Sequence, residues 1–318
     1  MGTLINLIRN ENMKIYRRTR TWILAAAMVA LIVLTGILYH HQHNTSVPAN
    51  WKQQLVTQNT KIQQELSAKH NPGLNNQQLE VQYKTNQYHI EHNIPPSATT
   101  GWDFANLIVS NMGFLVTVFV AVIAGDIVAS EFSFGTIKAL LIRPVKRWQV
   151  LLSKFIAALI FGVVFTALTF VISYVVGGLL FGFGGAGHAQ IYVNGHQTIS
   201  EASTAAFTLM NYGFMAVQLL FTMTIAFMIS SLFRSSALAI AMSIVTLFVG
   251  STVVNLLSRY SWDKYILFAN TDLSQYFING PHIHGMTLGF SIVMLAVYFV
   301  VMKGLSYVVF GKRDVSLS

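Results

Sequence analysis

The sequence predicts an all-α polytopic membrane protein with six transmembrane helices, an amino-terminal interfacial helix and an extracytoplasmic helical hairpin between the first two spans. Three observations predict it. Of 318 residues, 53% are hydrophobic and only 10% charged, and the mean hydropathy is +0.54. A soluble domain carries about 25% charged residues. Long apolar runs recur along the chain, near the roughly 20 residues that cross a hydrocarbon core. Lys and Arg gather in alternate connections, the asymmetry that orients a protein in a bilayer.

The first element, residues 1–21, reads as a cytoplasmic amphipathic helix. Leu4, Ile5, Ile8 and Ile15 can face lipid while Arg9, Lys14, Arg17, Arg18 and Arg20 meet headgroups. The first span covers 22–39 and is short, but Trp22 and Tyr39 anchor its two ends at the interface. A signal peptide would have a shorter apolar region, and no cleavage site precedes His40-His41-Gln42-His43, so a retained helix is expected. Residues 40–101 form an extracytoplasmic helical insertion rich in Gln and Asn. Trp51, Leu55, Ile62 and Leu66 share one helical stripe; Leu79, Tyr83 and Ile90 suggest a second helix, closed by Pro95-Pro96. Asn71-Pro72-Gly73 is the turn between them.

Residues 102–310 hold the other five spans. They run from Phe104 to Gly125, Val150 to Phe183, Ala205 to Ser230, Ala237 to Leu257 and Met286 to Phe310. The third run of the six exceeds one crossing, so it tilts or extends past the core. Residues 311–318 are a cytoplasmic tail.

Orientation follows from the cations. Arg9, Lys14, Arg17, Arg18 and Arg20 precede the first span; Lys138, Arg143, Lys146, Arg147 and Lys154 surround the second inter-span loop. Arg234 sits in the fourth loop, and Lys303, Lys312 and Arg313 mark the end. The alternate loops hold only Lys52, Lys61, Lys69, Lys84, Arg259 and Lys264. Both termini are therefore expected in the cytoplasm. The same distribution accounts for the net charge of +9 without nucleic acid, since no basic helix or aromatic platform accompanies it. Cysteine is absent, which removes disulfides and thiolate ligands.

Little in the chain resembles catalytic or cofactor chemistry. No Gly-x-x-x-x-Gly-Lys-Ser/Thr pattern occurs, so the chain is not expected to hydrolyse ATP by itself. Gly182-Phe-Gly184-Gly-Ala-Gly187 fits Gly-x-Gly-x-x-Gly, but it ends a membrane helix rather than linking a strand to a helix, so it reads as a helix exit. Asp103, Asp126 and Lys154 are expected near span ends, with Asp126 beside Glu131 at the inner surface, which leaves no central ion relay. His40, His41, His43, His70, His89, His92, His188, His196, His282 and His284 all fall on the expected outer side. His40-His41-x-His43 and Pro281-His282-Ile-His284 could bind Zn or Cu, but no carboxylate or Cys completes a ligand set. No cofactor or resident metal is expected. No nucleophile elbow supports Ser-His-Asp catalysis.

The segment 131–148 is the most informative. Phe132, Thr136, Ile137, Leu140 and Leu141 recur at helical spacing, so a short helix with one apolar face is expected. Pro144 limits it, and Arg143, Lys146 and Arg147 form a charged hinge. This run resembles the signature loop of ABC-2 type transporter permease subunits: an acidic residue, Gly135-Thr136, a basic residue, the Leu140-Leu141 pair and the basic-Pro hinge. Asn10-Glu11-Asn-Met-Lys14-Ile-Tyr16-Arg17-Arg18 through Trp22 is similar to that family's interfacial helix. Ser230-Ser231-Leu-Phe-Arg234-Ser235-Ser236 resembles its tight cytoplasmic turn, and the stretch from Trp262 to Tyr276 resembles its outer loop before the last span.

The resemblance implies the permease subunit of a bacterial ABC exporter, in the cell membrane, working by alternating access. Two copies of an ABC ATP-binding subunit would supply energy, and a second permease copy or sister permease would complete the path within membrane lipid. Glu131, Phe132, Gly135, Thr136, Lys138, Leu140, Leu141, Arg143, Pro144 and Arg147 would then couple the ATPase to the spans. The large insertion at 40–101 departs from simpler members and leaves the substrate open. The competing readings are a membrane sensor or assembly factor whose outer hairpin binds a ligand, and a secondary carrier.

Overall fold

A backbone in hydrocarbon must satisfy its hydrogen bonds within its own segment, so apolar runs of this length fold as helices. The computed structural model describes residues 2–42, 49–68, 74–96, 99–136, 145–257, 260, 262–281, 283 and 285–312. In chain order the elements begin with α1 (Gly2–Arg17), α2 (Thr19–Gln42), α3 (Trp51–Ala68), α4 (Leu74–Glu91), α5 (Gly101–Asp126) and α6 (Ala129–Ser133). There follow α7 (Arg147–Phe181), β1 (Ala189–Val193), β2 (Ile199–Ser203), α8 (Thr204–Leu232), α9 (Ser236–Leu257), α10 (Leu267–Asn270) and α11 (Leu288–Lys312). Among the described residues, six helices are long and apolar enough to cross a membrane: α2, α5, α7, α8, α9 and α11. Each contains one of the expected runs or nearly all of it. Helix α7 has 35 residues, so at about 1.5 Å per residue it outreaches a core of about 30 Å and extends past it.

The bundle is built around α5, which packs between α7 and α8. Phe104, Ile108, Val116 and Val120 of α5 meet Phe155, Phe161 and Phe165 of α7 and Leu219, Met223 and Phe227 of α8 in one core. Small residues set the closest approach. A Cβ on Gly101 would lie 2.9 Å from the Gly178 nitrogen, and one on Gly177 would lie 2.7 Å from the Phe104 Cβ. Backbones of α5 and α7 therefore touch there, the usual use of glycine between membrane helices. Helix α8 is the most enclosed, with 67% of its apolar window buried; α9 and α11 have 17%. The outer helices thus keep broad apolar faces, among them Val245, Phe248, Val293 and Val300, for lipid or another chain.

Polar elements collect at the two ends. Helix α1 lies against α7 at one end, with α6 and the turn joining α8 to α9. The end of α11 joins them, since Phe132 packs edge-on to Phe310. This is the termini end. At the other, hairpin end, α3 and α4 pack side by side: Gln63 Nε2 donates to the Tyr83 hydroxyl at 3.0 Å and Asn86 Nδ2 to Asn59 Oδ1 at 3.0 Å. Leu55 and Ile62 are buried in that pairing. The expected turn at 71–73 lies outside the described residues.

One element corrects the all-α expectation. Strands β1 and β2 pair antiparallel, with Ala189 opposite Ser203 and Val193 opposite Ile199. Helix α4 rests on this ribbon, and the Tyr88 hydroxyl donates to Glu201 Oε1 at 2.9 Å. Gly182, at φ +100°, ends α7 just before it. The Gly182–Gly187 motif therefore runs from a helix to a strand, the reverse of a dinucleotide-binding loop.

Candidate functional site

Charges taken out of water persist only when paired and hydrogen-bonded. Lys154 lies two turns inside α7, in an otherwise apolar stretch, and is 1% exposed. Its Nζ donates to Glu11 Oε2 of α1 at 2.7 Å and to Glu131 Oε1 of α6 at 2.8 Å. Lys14 Nζ donates to Glu11 Oε1 at 2.9 Å and to the same Glu131 oxygen at 2.8 Å. The Thr136 hydroxyl donates to the other Glu131 oxygen. Two cations and two carboxylates thus close a neutral ring that joins α1, α6 and α7. Burial alone would raise the Glu131 carboxyl, but the charge of Lys154 and hydrogen bonds from Lys14, Lys154 and Thr136 outweigh it and hold it at about 2. Burial lowers the Lys14 ammonium, yet Glu131 and Glu11 outweigh that and keep it above its ordinary range.

A second cluster sits beside the first. Asp126 ends α5 and is buried. It accepts from Arg18 Nη1 and from the Ser236 hydroxyl, and Arg20 approaches it at 3.1 Å. Arg18 Nη2 donates onward to Ser130 Oγ at 3.0 Å. The Val128 and Ala129 amides donate to Ser230 Oγ at 3.1 and 3.0 Å, which satisfies donors at the start of α6 that no helical partner reaches. The Ser236 amide donates to Ser133 Oγ at 2.9 Å, and that hydroxyl donates to the Arg234 carbonyl at 3.1 Å. The elbow 126–136 is therefore fixed to α1 by charge and to the α8–α9 turn by hydroxyls.

A third cation is held differently. Lys303 Nζ of α11 lies 3.4 Å from the Phe155 ring centre, 4.8 Å from Phe227 and 5.4 Å from Tyr307. It makes no hydrogen bond among the described residues. Cation–π attraction thus joins α11 to α7 and α8. Lys303 lies well inside α11 and corrects the expectation that it marks the end of the chain; Lys154 stands near the start of α7, as expected, but buried and paired.

The expected coupling residues divide. Glu131 is buried in the ring rather than presented to a partner. Phe132 is half-buried against Phe310. Helix α6 stops at Ser133, and Gly135 turns the chain at φ +69°. The helix expected to run on from Phe132 is therefore interrupted, because that left-handed backbone breaks the helical hydrogen-bond run. Phe134 at this turn is 73% exposed. Arg147 Nη1 donates to the Gly311 carbonyl at 2.9 Å, which ties the start of α7 to the end of α11. Lys138, Leu140, Leu141, Arg143 and Pro144 lie outside the described residues. A cleft of about 390 Å³ opens between α1, the turn at 130–136 and the start of α7.

Sequence reasoning missed the ring itself. The sequence places Lys14 among cations that meet headgroups, Glu11 only within the stretch similar to an interfacial helix, and Lys154 among the orienting cations. The available signal was a lone Lys about one turn inside the apolar run that begins at Val150. No group of three or more His, Asp or Glu residues placed to hold a metal ion occurs among the described residues, and His43, His70, His282 and His284 lie outside them.

Residues 74–316 match the family described as "Protein of unknown function (DUF2705)". The chain belongs to the DUF2705 family. The matched span includes Asp126, Glu131, Lys154 and Lys303 of this DUF2705 member and begins after α1. A relative covers α1 as well: the "Uncharacterized protein YhcI" of Bacillus subtilis (strain 168) is 38% identical over 319 residues, spanning 98% of this chain and 100% of the relative. The "Uncharacterized membrane protein YdbK" of the same organism is 34% identical over 208 residues, 64% of this chain and 80% of its own. With six apolar helices and a relative named as a membrane protein, this DUF2705 chain is a multi-pass membrane protein.

Proposed function

We propose that this chain is the transmembrane permease subunit of an ABC-2 type ABC transporter, an exporter driven by a separate ATP-binding subunit. The observation that carries the reading is the ring of Glu11, Lys14, Glu131 and Lys154. It makes a stiff polar joint between the helix α1, the exposed turn at 133–136 and a long span. Such a joint can pass a push from the turn to α7 and α1, while the Asp126 cluster passes it to α5 and α9. Positive-inside asymmetry supports placing the termini end, and both termini, in the cytoplasm of a bacterial cell, with the α3–α4 pair outside.

In this reading a dimer of ATPase subunits grips the segment 131–148. Phe134 and the apolar side chains at Leu140 and Leu141 supply area, while Lys138, Arg143 and Arg147 meet acidic partners. Glu131 acts from beneath as a lever, because its carboxylate is committed to Lys154 and Lys14. A second permease chain, identical or a sister, would cover part of the outer apolar faces and complete the path. Within the ring the Glu131 carboxyl is held at about 2, so this group stays charged at neutral pH and serves as a fixed ion-pair partner.

The test is affinity purification of the tagged chain from its own membranes, followed by reconstitution. An ATP-binding chain should elute in equal amount, and transport should require ATP. Purification without any ATPase at matched expression, or transport sustained by an ion gradient alone, would overturn the proposal.

A further inference from the structure

A polar groove of about 300 Å³ enters the bundle from the hairpin end, between α5, α8 and the stretch around Asp272. Its wall includes Ser110 and Phe114 of α5, Asn211 and Gln218 of α8, and Asp272 and Ser274. Gln218 lies 14 residues into α8 (Thr204–Leu232), which is about 21 Å down a helix of 1.5 Å rise. The groove therefore carries hydrogen-bonding side chains to the middle of a span. Asn211 Nδ2 donates to Asn106 Oδ1 at 2.8 Å. The Ser110 hydroxyl and the Gln218 amide make no side-chain hydrogen bond among the described residues. An amide at that depth without a protein partner must face water or a polar solute, because hydrocarbon offers it nothing.

The wall also says what kind of solute fits. Asp272 is the one charged side chain lining the groove among the described residues. Its carboxylate is exposed, and it accepts from the Ser274 amide at 2.9 Å and hydroxyl at 2.5 Å. Among the described residues no Lys or Arg lines the groove to balance it. An anion is disfavoured and a cation favoured at the mouth. Phe114 and Phe214 add aromatic surface, with Phe114 held edge-on to Phe248 of α9 at 5.0 Å. The volume matches the lower end of pockets that hold small organic ligands, about 300–1,000 Å³.

We propose that this groove binds an amphipathic solute, neutral or cationic, that carries amine, amide or hydroxyl groups. In the permease reading, on which the direction of movement but not the chemistry of this inference rests, the groove is a wall of the export path.

The native chain has no cysteine, so single cysteines report cleanly. Ser110→Cys, Gln218→Cys and, as a lipid-facing control, Val300→Cys would be purified at full length in nanodiscs without any ATPase. Gly113→Cys stands in if Ser110→Cys does not fold, since a Cβ there meets only the Met215 sulfur, at 3.7 Å. A charged, water-borne methanethiosulfonate should modify the groove cysteines at least tenfold faster than Val300→Cys. Ethidium, a planar cation with amine donors, should slow that reaction at least fivefold; the anion anilinonaphthalene sulfonate should not. Asp272→Asn should remove most of the ethidium effect. Groove cysteines as slow as Val300→Cys, or equal protection by cation and anion, would overturn the inference. Because no ATPase is present, protection that survives a failed ATPase pull-down sinks only the permease reading. Unreactive groove cysteines beside a successful pull-down sink only this one.

Discussion

Lys154 shows how far a single residue can be from its apparent role. In the sequence it is a cation near the start of a span, and it adds to the count that orients the protein. In the fold it is enclosed by Glu11 and Glu131, and the four-member ring around it is neutral. Sequence cannot separate these roles, because the partners lie on α1 and α6, far apart in the chain and brought together only by packing. Glu11 was equally opaque, as one acid among cations on an arm. Lys154→Met would leave two buried carboxylates facing Lys14 alone. Breaking a buried pair costs about 3–5 kcal/mol, so this variant should melt well below the parent in detergent. Replacing Glu11 by Gln together with Lys154→Met restores neutrality and should recover part of the loss. Equal melting of parent and Lys154→Met would show that the ring contributes nothing. Glu131 adds a pH signature. Its carboxyl is depressed from 4.5 to about 2 in the fold. Its contribution is therefore complete above pH 4.5 and is lost as pH falls towards 2. Thermal midpoints measured from pH 6 down to pH 3 should drop in the parent, and Glu131→Gln should flatten that drop.

At the scale of elements, the spans were legible because a length of apolar sequence has few other fates. The two places where the reading departed from the structure are both short and glycine-bearing. Strands β1 and β2 flank Asn194-Gly195, a strong hairpin signal that two neighbouring spans overshadowed. The periodicity from Phe132 onward suggested one helix, but α6 stops at Ser133 and Gly135 takes φ +69°. In the permease reading, the prediction for the segment 131–148 changes accordingly. Gly135→Ala adds a Cβ that meets nothing within 4 Å, so its cost is the left-handed backbone alone, about 1–2 kcal/mol. Gly135→Pro cannot adopt that φ at all, since its ring fixes φ near −65°. ATPase association should weaken with Gly135→Ala and vanish with Gly135→Pro, while expression and insertion persist. Phe132→Ala with Leu141→Ala should also weaken association or uncouple hydrolysis from transport. Truncated core side chains cost about 2–5 kcal/mol, and the half-buried Phe132 should lie below that. Full association and transport in all three variants, at matched protein levels, would leave the segment as a lipid-bound loop.

The whole molecule is two polar ends joined by a bundle, and its function depends on which end faces the cytoplasm. At this scale the six spans were legible, because hydropathy acts on the chain as a whole. The sequence was silent on the groove, whose polar wall is assembled from three separate segments that share no local pattern. Orientation is open to direct test, since the chain has no cysteine of its own. Gln64 of α3 and His196 beside the β-turn are exposed at the hairpin end. Gly184 suits a third probe: a Cβ there meets nothing within 4 Å, whereas one on Gly185 would strike Thr100 at 2.5 Å. Ser133 is exposed at the termini end. In intact cells an impermeant maleimide should label Gln64→Cys, Gly184→Cys and His196→Cys. Ser133→Cys should react only after the membrane is opened. The reverse pattern would invert the topology. It would carry the ion-pair ring and the 131–148 segment out of reach of any cytoplasmic ATPase, and it would turn the mouth of the polar groove inward. Helix count and packing would stand, and the case for ATP-driven export would fall with one labelling experiment.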